Sequence, residues 1–179
     1  MYLISADEMN MISKIEPTFQ EYKTALDSIA GGHSFAIVVW GFEGKIRSIV
    51  ELIEEEMPTK YPESKIPWLD FKKAIQTYGE VPKRKKLTFD EAKHALRKQM
   101  EEAWYFQKMF NLSQGDEYPE VEAAITQSIT ATETLLQQMD IAPIACEEIY
   151  FDLGANDYWA IVISWPEGAE MFEFLHFID

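Results

Sequence analysis

This chain has a single cysteine, Cys146, and no lysine or arginine anywhere after Lys108. One thiol excludes an intrachain disulfide and a zinc site built on several thiolates, and it fits a reducing compartment. Long apolar runs are missing too. The longest, 35–40 and 158–163, are far too short to cross a bilayer as helices. The opening stretch, MYLISADEMNMISK, lacks a basic segment followed by a long apolar run, so no secretory signal is expected. A soluble, cytoplasmic protein is expected on these grounds, and no cofactor is expected.

Several catalytic signatures are also missing. The turn Gly41-Phe42-Glu43-Gly44-Lys45-Ile46 follows an apolar run, which is the context of a phosphate loop. It has two residues between its glycines where a Walker loop has four, and Ile46 stands where a magnesium-binding hydroxyl is needed. No Gly-x-Ser-x-Gly elbow is present, and Ser34 beside His33 is a dipeptide rather than a triad. Cys146 precedes Glu147-Glu148, whose charge would raise a thiol pKa rather than activate it. Glu91 with His94 and Glu173 with His176 share the Glu-x-x-His spacing of di-iron helices. The second pair falls in an expected strand, where residues three apart face opposite ways, so no metal site is expected.

What the chain has in quantity is acid, distributed unevenly. Its 31 Asp and Glu against 16 Lys and Arg give a net charge of −15. Residues 109–179 contribute 14 acids and no base, whereas residues 61–108 carry 11 bases against 7 acids. Such a chain repels anionic nucleic acid and anionic membrane, and it attracts cationic partners at long range. The basic run Lys83-Arg84-Lys85-Lys86 has no interleaved aromatics for stacking bases. A grip on phosphate is less favoured than a structural reading, either a solvated loop or counter-charge for the acidic tail within the fold or in a second copy, so a homo-oligomer is one outcome to test.

With 47% hydrophobic and 13% aromatic residues, the 179-residue chain can bury the core of one domain, residues 1–179. A short strand is expected at Met1–Ile4, then a helix opened by Ser5 and Glu8 and split at Pro17, ending by Gly31-Gly32. Phe35–Trp40 reads as a buried strand, followed by helices near 45–57 and 68–78 and a loop, Gly79–Lys86. Thr88 and Glu91 have capping-box spacing and open a long helix to about Asn111, with an apolar stripe at Phe89, Ala92, Leu96, Met100, Ala103 and Phe110. Pro119 starts another helix, whose stripe of Val121, Ile125, Ser128, Thr132, Leu135 and Met139 is only weakly apolar. The tail alternates as three short strands, giving a C-terminal antiparallel meander. The expected class is α+β: helical N-terminal and central regions, then the meander, joined by the strand near 35–40.

These readings favour a binding protein over an enzyme. Small acidic proteins that neutralise a basic toxin, immunity proteins among them, share this size and charge, although no family motif is present. The candidate contacts are Glu147, Glu148, Asp152, Asp157, Glu167 and Glu170, with Trp165 as an aromatic anchor. The bland reading of Trp159 and Trp165 is core packing on one face of a buried strand. The competing functional reading is a small-molecule site or enzyme between the long helices and the sheet. Trp104, Tyr105 and His94 would line it, with Lys85 or Arg97 to hold an anion.

Overall fold

The computed structural model describes residues 6–29, 33–43, 52, 55, 59, 83–111, 117–139, 142–152, 157–166 and 168–178. The expected strand at Met1–Ile4, residue Ser5 and the helix near 68–78 lie outside these residues. So does the helix near 45–57, apart from Leu52 and Glu55. Among the described residues the elements in chain order are α1 (Ala6–Asp27), β1 (His33–Glu43), β2 (Lys83–Leu87), α2 (Phe89–Asn111), α3 (Pro119–Gln137), β3 (Ala145–Asp152), β4 (Asp157–Trp165) and β5 (Gly168–Ile178). The five strands form one sheet of order β1-β5-β4-β3-β2, antiparallel at every pairing. The class is α+β, and β3–β4–β5 is the expected meander with β1 added against β5.

The sheet buries both faces. On one, Phe35 and Ile37 of β1, Phe172 and Phe174 of β5, and Trp159, Ile161, Ile163 and Trp165 of β4 pack against the three helices. The other face carries Phe42, Ile149, Phe151, Tyr158, Ala160, Val162, Met171 and Leu175, joined by Leu52. Burial on both sides explains why β4 reads as a nearly unbroken apolar run instead of alternating. β3 was expected to keep a wet face through Glu148, Tyr150 and Asp152. Its helix-side residues Cys146, Glu148 and Tyr150 are instead buried or half-buried, because that face is roofed by helix.

Three helical readings change. Pro17 does not split α1, which runs through it. Ile15 before it and Phe19, Tyr22 and Leu26 after it are all buried at helical spacing, so packing holds the helix across the one hydrogen bond that proline removes. The Tyr22 hydroxyl also donates to the Met100 carbonyl at 2.7 Å, tying α1 to α2. On α2 the buried line is Ala92, Leu96, Met100, Ala103 and Gln107, and Phe110 lies outside it. On α3 the buried residues are Ile125, Ser128, Ile129, Thr132 and Leu136, with Val121, Leu135 and Met139 only partly buried, and the helix packs against α1.

Two strand boundaries also move. The turn expected at Gly41 is strand: Gly41, Phe42 and Glu43 continue the ladder opposite Glu170, Ala169 and Gly168. A side chain at Gly168 would meet the Phe42 carbonyl oxygen at 2.7 Å, so glycine is needed for β1 and β5 to stay paired to their ends. The basic segment expected as loop becomes β2 over its last part, paired antiparallel to β3. Four consecutive exposed charges carry no alternation, so the ladder rather than the pattern makes this strand. At the sheet edge such charges discourage pairing with other chains.

Candidate partner-binding surface

The register of β2 on β3 decides what the basic run does. Lys85 lies opposite Glu148 and Lys86 opposite Glu147. Arg84 donates to Glu147 Oε1 from Nε at 2.7 Å and approaches it with Nη2 at 2.6 Å. The basic run thus lies along acids of the chain's own tail, with Arg84 and Glu147 in an ion pair. Further along, Arg97 bridges Glu101 of its own helix and Glu133 of α3 at 2.9 and 2.6 Å, and Lys108 lies 3.4 Å from Glu122.

The sequence-derived contact residues do not share one surface. Glu147 is held by Arg84 on the face opposite the helices, while Glu148 accepts the Trp159 indole N–H at 3.3 Å on the helix face. Asp152 is exposed at the end of β3. Asp157, directly across the ladder from it, accepts the Tyr150 hydroxyl at 3.0 Å. Trp165 and Glu170 are each 3% exposed, and they belong to the interior instead of to a contact surface. Both stand on the face that the helices cover, as do Glu148, Asp152 and Asp157, so depth under the helices rather than strand alternation sets them apart. Glu167 lies outside the described residues.

The residues proposed for a small-molecule site also disperse. His94 and Lys85 are exposed, Arg97 is committed to two carboxylates, and Trp104 is half-buried against the core. A cavity of about 120 Å³ does exist between α2 and the sheet, but its lining is different. Gln99, Glu102 and Phe106 come from one side of the helix, and Phe35, Tyr150, Asp157, Trp159, Phe174 and His176 rise from four strands. His176 stacks on Phe35 at 4.5 Å between centroids with an interplanar angle of 7°.

Beside this cavity α2 turns large apolar side chains to solvent. Tyr105 is 56% exposed, Phe106 37%, Met109 52% and Phe110 49%. The rings form a chain: Tyr105 meets Phe106 edge-on at 6.1 Å, Phe106 stacks with Phe110 at 5.8 Å, and Phe106 reaches His176 at 5.5 Å. Residues 105, 106, 109 and 110 form a second helical stripe off the buried line. The sequence carried that signal, but assigning Phe110 to the core hid it. Clustered exposed aromatics and methionine mark contact surfaces more than isolated apolar residues do.

Burial pushes the Cys146 thiol up to about 11, leaving it protonated at neutral pH. Among the described residues, no group of three or more His, Cys, Asp or Glu is placed to hold a metal ion. Glu173 and His176 face opposite sides of β5, as residues three apart in a strand must. Among the described residues, no helix is long and apolar enough to cross a membrane. Comparison with protein-family models, curated proteins and solved structures finds no match.

Proposed function

We propose that this chain is an acidic protein-binding module of the inhibitor or immunity type, which captures a basic partner by charge complementarity and occludes it. The observation that carries this reading is the exposed Tyr105–Phe106–Met109–Phe110 stripe, set beside Glu102 and Asp157 in a chain of net charge −15. The acids provide long-range attraction for a cationic surface, and the aromatic stripe provides apolar area that is desolvated on contact. Of the acids first considered, Glu148, Asp152 and Asp157 remain candidates for the rim.

The test is affinity capture from host lysate at low salt by three baits: the wild-type chain, Met109→Ser/Phe110→Ser, and a Glu101→Gln/Glu102→Gln pair. A basic protein should elute from the wild type at a defined salt step, be lost from the patch variant, and elute earlier from the charge variant. Truncating an aromatic anchor at an interface centre costs about 2 kcal/mol or more, roughly thirtyfold in affinity. Equal retention by all three baits, or retention that ignores salt, would sink the reading.

A further inference from the structure

The cavity beneath α2 combines features that suit one kind of ligand. Trp159 and Tyr150 on the sheet and Phe106 on the helix present aromatic surface to it, and Glu102 and Asp157 bring carboxylates from the helix and the sheet. Asp157 also stands directly across the ladder from Asp152. Like charges so placed repel each other, and a cation between or beside them turns that repulsion into attraction. Aromatic faces attract cations as well. Lys83 Nζ already lies 5.7 Å from the centroid of Tyr150, and Lys98 reaches Glu102 at 3.6 Å. Those two lysines and Lys85, opposite Glu148 across the ladder, stand against Glu102, Asp152, Asp157 and Glu148, which leaves one excess negative charge at the mouth.

Size narrows the ligand further. A cavity of about 120 Å³ is well below the roughly 300–1,000 Å³ of sites that enclose whole small molecules. It matches the end of a single side chain. A guanidinium is planar, stacks on aromatic rings and can donate to two carboxylates at once, whereas an ammonium is a strongly hydrated point charge. We infer that the cavity receives the guanidinium of an arginine on the basic partner, gripped between Glu102 and Asp157 and flanked by Trp159 and Phe106. This rests on the partner-binding reading and names the residue type that enters.

The experiment titrates N-acetylarginine methylamide and its uncharged counterpart, N-acetylcitrulline methylamide, into the ¹⁵N-labelled full chain, reading the Trp159 indole N–H and the His176 ring resonances. The arginine probe should shift both saturably, and the citrulline probe should bind at least about tenfold more weakly. Asp157→Asn, whose amide oxygen can still accept the Tyr150 hydroxyl, should weaken the arginine probe by about the same factor. Glu102→Gln, at an exposed helix position, gives a second variant with little bearing on folding. Equal binding of the two probes, unchanged affinity in both variants, or no shift at all overturns the inference. The two readings fail separately. If the probe does not bind while the patch variant still loses a captured basic protein, the interface stands and the pocket plays no part. If the probe binds but no captured protein depends on the patch, the site serves a free guanidinium compound, and the claim of a partner's arginine falls.

Discussion

Two glutamates occupy positions where the alternation of β5 would place apolar side chains. Glu173 is enclosed in the second cluster, accepting the Tyr158 hydroxyl at 2.7 Å and the Trp40 indole N–H at 3.4 Å. Burial raises its pKa from 4.5 to about 7, against the lowering effect of those two hydrogen bonds. Glu170 lies under the helices, where burial and then the charge of Glu16 raise it to about 8. Below pH 4.5 folded and unfolded chains both hold these protons, and the stabilising contribution is complete. As pH rises past 4.5 the unfolded chain ionises first, so stability falls until the folded values of about 7 and 8 are passed. At about 1.4 kcal/mol per pKa unit, each acid costs on the order of a few kcal/mol at alkaline pH. Glu173→Gln can still accept from Trp40 and can donate to the Tyr158 oxygen, so it should flatten the decline in melting temperature between about pH 5 and pH 8. A decline as steep as in the wild type would show that Glu173 is not the source. Sequence alone could locate Glu173 in a strand and left Glu170 just before it, and the burial of both depended on which layers closed over the sheet.

Among the elements, α2 shows most clearly what local pattern can and cannot specify. Its start is written in two residues: Thr88 N–H donates to Glu91 Oε2 at 2.8 Å and Glu91 N–H to Thr88 Oγ1 at 3.2 Å. The Glu91 carboxyl is held below its ordinary value mainly by the Thr88 backbone N–H, then by its side chain. Thr88→Ala should destabilise the protein by about 1 kcal/mol in urea unfolding, with an unchanged denaturant slope. A change within a few tenths of a kcal/mol would mean that tertiary contacts alone fix this end. The helix and its buried line were legible because period 3.6 and a capping box are local signals. The outward stripe was not, because an apolar residue looks the same in sequence whether its neighbour is core or solvent. β2 and the run through Pro17 were illegible for a related reason: in each, contacts with distant residues override a local preference.

For the whole molecule the governing quantity is charge. Arg84 pairs with Glu147 across β2 and β3, but 16 bases cannot balance 31 acids, so the −15 chain repels itself. Raising salt from about 0.01 to 0.15 M shortens the Debye length from roughly 30 to 8 Å. The melting temperature at neutral pH should therefore climb with added salt, and the gain should shrink near about pH 5, where carboxylates begin to take up protons. A melting temperature that falls with salt at neutral pH would mean the ion pairs outweigh the repulsion. Under the proposed function the same screening should slow capture of a cationic partner, so stability and association rate should respond to salt in opposite directions.

The sequence by itself determined the class, the meander, the capped helix, the Pro-started helix and the sign of the chain's own net charge, because each follows from local periodicity, capping chemistry or summed charge. Tertiary structure alone decided which acids remain available. Strand register sends neighbouring residues to opposite faces, and layer packing then buries Glu170, Glu173 and Trp165 while leaving Asp152 outside. It also decided that the basic run meets its own tail, and that Glu102 and Asp157, far apart in the chain, border one cavity. Those are consequences of long-range pairing, which carries no signature in any short stretch of sequence.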